Sequence, residues 1–189
     1  MQELGAPAIH DSAVVEAEST LGCGTRVWHH AHVRKGARVG AQCVIGKGVY
    51  IDTDVVVGDR VKLQNNVSLY RGAVIEDGVF IGPHVVLTND HLPRAINPDG
   101  TLKSADDWDV GRILVRSGAS IGAGSVILPD VEIGRWALVG AGSLVTSDLP
   151  DHGLAFGSPA RLRGYICRCG TARASQRELL RCECLPPDD

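Results

Sequence analysis

The residues best equipped for chemistry are polar, and most of them gather around one stretch of the chain. Gln64, Asn65 and Asn66 place three amides side by side, a set that can stack as a ladder at backbone corners or hold a ligand. His84 and His91 are imidazoles, the side chain whose charge changes near neutral pH. Asn89 lies between them and is an amide, which orients a partner but does not take up a proton near pH 7. Arg34, Arg71 and Arg94 offer guanidinium groups to a carboxylate or a phosphate, and nothing in the sequence ranks them. Far from these, Cys167, Cys169, Cys182 and Cys184 form two Cys-x-Cys pairs whose four thiolates could hold a structural zinc ion. Zinc knuckles usually space their cysteines by two residues rather than one, so free thiols in a frayed tail are the competing expectation.

The elements that must position these groups are written in the aliphatic residues. From Ile9 to Leu87 every sixth residue is aliphatic, and after a break the same interval returns at Val115, Ile121, Ile127, Ile133, Val139 and Val145. Neither an α-helix nor a flat strand imposes a period of six, so the register predicts a solenoid whose short sides each take one repeat. Four residues after each aliphatic comes a smaller inward slot, as at Ala31, Ala37, Cys43, Val49 and Val67. Gly22, Gly40, Gly46, Gly58, Gly82, Gly122, Gly134 and Gly140 follow directly on the aliphatic, as expected of tight corners with no room for a Cβ. Twenty such hexads predict six to seven coils and a column about 30 Å tall. The break, residues 88–112, is polar, holds two Pro and two Gly, and has no register. A loop of that length within a compact repeat is expected to be a lid or binding segment.

Composition narrows the function classes. The chain has 189 residues, a formal net charge of −3 and a 44% share of hydrophobic residues. That suits one domain with a small appendage and provides no basic field for nucleic acid. No apolar run approaches the ~18 residues of a membrane span, and Met1 to Pro7 lacks a basic-then-apolar leader pattern, so a cytoplasmic location with no membrane partner is expected. Two Phe, three Tyr and three Trp fit a thin core of Val, Ile, Leu and Ala.

The hexads resemble those of the left-handed parallel β-helix, in which three hexads close one triangular coil. The resemblance implies an all-β fold with one projecting loop and a short Cys-containing tail, organised as a β-helix domain over residues 1–164 and a tail over 165–189 that could be a degenerate zinc ribbon. It also implies that residues eighteen apart stack in columns, so that His84 lies over Asn66 as a hydrogen-bonded surface histidine or a base, and polar columns converge near the break. The stretches TRVWHHAHVRKGARVG, GDRVKLQNNVSLYRGAVIEDGVFIGPHVVLTNDHLPRA and GAGSLVTSDLPDHGLAFGSPARLRG look like those of the bacterial nucleotide-sugar 3-amino N-acetyltransferases, over residues 8 to 165.

That resemblance implies a homotrimer with acetyl-CoA in the groove between adjacent columns and a UDP- or dTDP-linked amino sugar near the loop, serving surface polysaccharide or glycoconjugate synthesis. It assigns Asn89 to orienting the sugar amine, Gln64, Asn65 and Asn66 to the sugar pocket together with Arg71 and Arg94, and Pro93 with Arg94 to the start of the loop. Gly122, Gly140, Ala141 and Gly142 match the edge beside pantetheine, and Ser158, Pro159 and Arg161 the nucleotide end of the coenzyme. The O-acetyltransferases of the same superfamily use a loop histidine to deprotonate a hydroxyl, so an O-acetyltransferase with His91, or His84, as base is the alternative. The γ-class carbonic anhydrases share the prism, but QNNVSLY places Tyr70 where a ligand would stand and leaves their zinc one histidine short. A non-catalytic hexapeptide scaffold is the remaining alternative.

Overall fold

A computed structural model describes residues 5–182 and Cys184. The remainder of the expected tail, residue 183 and residues 185–189, lies outside the described residues, as do residues 1–4. Twenty short parallel strands, from Ala8–Ile9 to Leu144–Val145, recur at the hexad interval. They stack into three faces of a left-handed β-helix. The first face runs from Ala8–Ile9 through Lys62–Leu63 and Phe80–Ile81 to Leu138–Val139. The second runs from Val14–Val15 through Ser68–Leu69 and Val86–Leu87 to Leu144–Val145. The third runs from Thr20–Leu21 through Ala73–Ile75 and Ile113–Val115 to Glu132–Ile133.

Register explains why a period of six works. Lys62 pairs with Val44 below and Phe80 above, each eighteen residues away, so every aliphatic stacks on its counterpart one coil on. Ile45, Ile51, Leu63, Leu69, Ile75 and Ile81 are fully buried. Burying a side chain of this kind contributes about 1.5–3 kcal/mol, so stability accumulates coil by coil. The small slots are buried with them, including Thr25, Ala31, Ala37 and Cys43. Within that slot Thr25 Oγ1 donates to the Gly40 carbonyl (2.8 Å) and accepts from Cys43 N–H (2.9 Å), which satisfies a hydroxyl in an aliphatic column.

The corner glycines divide into two kinds. A Cβ on Gly46 would lie 2.8 Å from the backbone nitrogen of Asn65, so glycine after the aliphatic answers the close approach of the next coil. The left-handed backbone sits two residues further on, where Gly48 has φ +66° and Asn66 has φ 59°. Only the first requirement was visible in the glycine spacing.

The upper end departs from the hexad pattern. Val139 pairs with Ala155 sixteen residues on, the last parallel rung, after which Gly153–Gly157 turns back into Ala160–Ile166 as an antiparallel hairpin. Tyr165 and Ile166 pair in turn with Arg173 and Ala172, so the sheet continues across the expected boundary at 164. Helix α1, Gln176–Leu179, follows with Ser175 as its N-cap. The lower end is open among the described residues, with Ile9 46% exposed. Among the described residues no helix is long and apolar enough to cross a membrane.

Candidate functional site

The loop leaves the coil at the edge between the second and third faces and returns to the same point. Gly111 N–H donates to the Asn89 carbonyl at 2.8 Å, tying the two roots together. Asn89 Nδ2 donates to the Arg71 carbonyl one coil below (3.2 Å), so this amide is oriented by the column beneath it. His91 Nε2 lies 2.8 Å from Asp130 Oδ2, and Arg112 N–H donates to the other carboxylate oxygen at 2.8 Å. The Arg112 amide and His91 hold the Asp130 carboxyl below its usual range. An ionised carboxylate on Nε2 fixes the imidazole tautomer and leaves Nδ1 as the basic nitrogen. Asp130 was missed in the sequence because 39 residues separate it from His91 and the loop disrupts the eighteen-residue column rule.

Arg71 receives its order from the same edge: its N–H donates to Asp52 (3.2 Å), and its guanidinium lies 3.9 Å from Asp54. Arg34 is held by Glu16 at 2.9 Å and by the Tyr50 hydroxyl at 3.1 Å, which makes it part of the edge's own framework. Arg94 is exposed within the loop. That loop folds back through a bridge between Ile96 and Leu102 and leaves Leu92 75% and Leu102 81% exposed.

Gln64, Asn65, Asn66 and His84 occupy the other edge of the second face. Asn65 Oδ1 accepts Lys47 N–H (3.0 Å), and His84 stands over Asn66 with 3.5 Å between Nε2 and Nδ2. The column neighbours that Asn65 and Asn66 bond are thus Lys47 and His84 rather than further amides, and within the chain these residues do not share an edge with Asn89 and His91. Gln64 and Asn65 also line a cleft of about 270 Å³ with Trp28, His29, Lys47 and Lys62, none of which the sequence had singled out as a ligand contact. Burial, with His10, His30 and Lys47 close by, holds His29 below its usual value.

Higher on that edge the column becomes Gly122, Ala123, Gly124 and then Gly140, Ala141, Gly142, a strip of bare backbone. Ser158 and Pro159, joined by a cis peptide, form the turn of the closing hairpin, and Arg161 Nη1 donates to the Ala160 carbonyl (3.0 Å). The four tail thiols come together at the top of the column, all within 4.8 Å of one another. Hydrogen bonds with the Cys167 thiol and Thr171 bring the Cys169 thiol down to about 6.

Comparison with known proteins agrees with the fold. The family described as "Bacterial transferase hexapeptide (six repeats)" matches residues 54–89 and 112–147, and "Hexapeptide repeat of succinyl-transferase" matches 36–71. Both matches of the first family stop at the loop, as the break in register requires. A dTDP-3-amino-3,6-dideoxy-alpha-D-galactopyranose 3-N-acetyltransferase of Aneurinibacillus thermoaerophilus is 59% identical over 59 residues, 31% of this chain and 31% of that one. A galactoside O-acetyltransferase of Lactococcus lactis is 31% identical over 121 residues, 64% of this chain and 55% of its own length. The crystal structure of PerB from Caulobacter crescentus in complex with CoA and GDP-perosamine is 27% identical, with a TM-score of 0.52, covering 85% of this chain and 58% of that one. The chain thus spans about a third to little more than half the length of these relatives.

Proposed function

We propose that this chain, whose coils match a hexapeptide-repeat family of bacterial transferases, moves an acetyl group from acetyl-CoA to the amino group of a nucleotide-linked amino sugar. The observation that carries this reading is the 59% identity to an N-acetyltransferase of a dTDP-3-amino sugar. The likeness to PerB, solved with CoA and a GDP-linked sugar, supports the same pairing of co-substrate and acceptor.

The geometry suits the reaction. Asn89, held by the Arg71 carbonyl, orients the sugar amine beside His91. The amine nitrogen attacks the thioester carbon, the C–S bond breaks, and the proton passes to His91 Nδ1 and from there to the departing coenzyme sulfur. Backbone N–H groups along the glycine strip, or the Asn89 amide, stabilise the oxyanion. The strip at Gly122 and Gly140–Gly142 leads pantetheine toward Ser158, Pro159 and Arg161. Gln64, Asn65, Asn66, Arg71 and Arg94 face the sugar nucleotide, and His84 supports the amide corner.

These groups lie on two edges of one face, so the reading includes a homotrimer in which one copy's loop edge meets its neighbour's glycine edge. The exposed Leu92 and Leu102 suit that contact. The coil with its closing hairpin is the transferase domain, loop 88–112 is its substrate wall, and a cytoplasmic enzyme of surface glycan synthesis is the setting. O-transfer is the second reading, favoured by the His91–Asp130 pair, because a hydroxyl needs a base more than an amine does.

The test is CoA release from acetyl-CoA with UDP-, dTDP- and GDP-linked 3-amino and 4-amino sugars against their hydroxyl counterparts, with light scattering for the trimer. Turnover confined to amino sugars is expected. Turnover confined to hydroxyl acceptors, or none with any acceptor and no binding of acetyl-CoA, overturns the proposal.

A further inference from the structure

The two Cys-x-Cys pairs are brought together by separate pieces of chain. Cys167 and Cys169 follow the strand Ala160–Ile166, and a tight turn curls them inward: Gly170 N–H donates to the Cys167 carbonyl (2.8 Å), and Cys167 N–H to the Thr171 carbonyl (3.1 Å). Cys182 and Cys184 follow α1, where Cys182 N–H donates to the Leu179 carbonyl at 2.9 Å. Cys169 and Cys182 sulfurs lie 3.8 Å apart and those of Cys182 and Cys184 3.1 Å apart. A disulfide needs about 2.05 Å. A zinc tetrahedron with bonds of about 2.3 Å spaces its sulfurs about 3.8 Å apart, which the first pair already meets and the second reaches by opening slightly.

The surroundings favour a metal over four thiols. Beyond Ala160 the described tail buries Gly164, Ile166, Cys167 and Leu179, too little apolar surface to hold some twenty residues in place. Arg173 and Arg181 line the same cavity as Cys169, Cys182 and Cys184, and Arg173 Nη2 lies 4.0 Å from the Cys182 sulfur. A zinc tetrathiolate carries two negative charges, which two guanidinium groups offset. An all-sulfur donor set selects a soft ion with tetrahedral preference.

We propose that Cys167, Cys169, Cys182 and Cys184 bind one zinc ion that fastens the C-terminal segment to the upper end of the β-helix. Four protein ligands leave no open position, so the ion is structural. The site is independent of the transferase reading and stands if that reading fails.

The test uses the full chain purified under reducing conditions without chelator. About one zinc per chain is expected, lost in Cys169→Ser and Cys182→Ser with the β-sheet circular dichroism unchanged. In case the variants fail to fold, the wild-type protein is stripped and titrated with cobalt(II), which should develop the visible bands of tetrahedral thiolate coordination and lose them to added zinc. Zinc below about 0.2 equivalents with no cobalt bands, or a disulfide between these cysteines in the reduced preparation, overturns the proposal.

Discussion

Between Val27 and Val145 each hexad buries one large and one small side chain against its counterparts above and below, and nearly all of that core is aliphatic. Residues 88–112 are attached by polar contacts at their roots, with Asn89 engaging Arg71 and Gly111, and His91 and Arg112 engaging Asp130. The coil spreads its stability evenly over many equivalent positions, whereas the loop concentrates its attachment in a few. Changes in the coil should therefore alter stability with little effect on rate, and changes at the loop root should alter rate with little effect on stability.

His91→Ala is the sharpest probe of that division. On the proposed mechanism, loss of this proton acceptor should lower kcat by about 10²- to 10⁴-fold, with the thermal midpoint unmoved, since the exposed ring makes one polar contact. A parallel fall in stability would break the contrast. Ile51→Ala should do the converse, costing about 2–5 kcal/mol in urea unfolding while the folded fraction keeps its kcat, because Ile51 is fully buried on the second face away from the loop.

Asp130→Asn sharpens the picture at the root. Replacing a charge-assisted hydrogen bond of about 1.5–3 kcal/mol with a neutral one should slow turnover roughly 10- to 100-fold, without loss of the Arg112 contact. Asn also tolerates the positive φ at this position.

The smallest effect is expected where the coil crosses the break. Glu76 accepts from Ser117 N–H and Oγ, each at 2.9 Å, and pairs with Arg116 at 3.3 Å, joining coils that the loop separates in sequence. Burial pushes this carboxyl up, but the Ser117 and Arg116 contacts outweigh it and leave it below its ordinary value. A lowered folded value stabilises above the unfolded value near 4.5, and that contribution is lost as pH falls through the folded one. Glu76→Gln should therefore cost about 1 kcal/mol near neutrality, a figure reduced by partial exposure, and the difference from wild type should vanish in acid. Urea melts of both proteins from pH 7 to pH 3 measure it.

The fold was legible because the inward residues answer one demand repeated twenty times: Ile45, Ile51 and Leu63 could not be anything but aliphatic. The corners were less legible because their demand is met by many residue types. His30, Gln42, Arg60 and Trp136 all take the left-handed backbone that Gly48 takes freely. The closing hairpin escaped because Ala155 falls over Val139 after sixteen residues, two short of the column interval. Asn89 and His91 were legible as types at a break in period, and the eighteen-residue interval sets Asn89 over Arg71, but Asp130 was not legible, since 39 residues that include the loop separate it from His91. The tail cysteines announced a cluster through their pairing, and only the return of α1 toward the Ala160–Ile166 strand brings the four sulfurs together.

Across the loop the partner interval jumps from eighteen, between Lys62 and Phe80, to forty, between Phe80 and Ser120, yet the pairing on either side stays in step. The difference, 22 residues, is an excursion whose two ends meet at a single 2.8 Å hydrogen bond. The closure entropy of such an excursion grows only slowly with its length. The loop is thus a removable cassette: a segment of different length or composition grafted between Asn89 and Gly111 inherits a finished scaffold, and on the proposed transfer reaction acceptor preference can diverge while the column beneath is left unaltered.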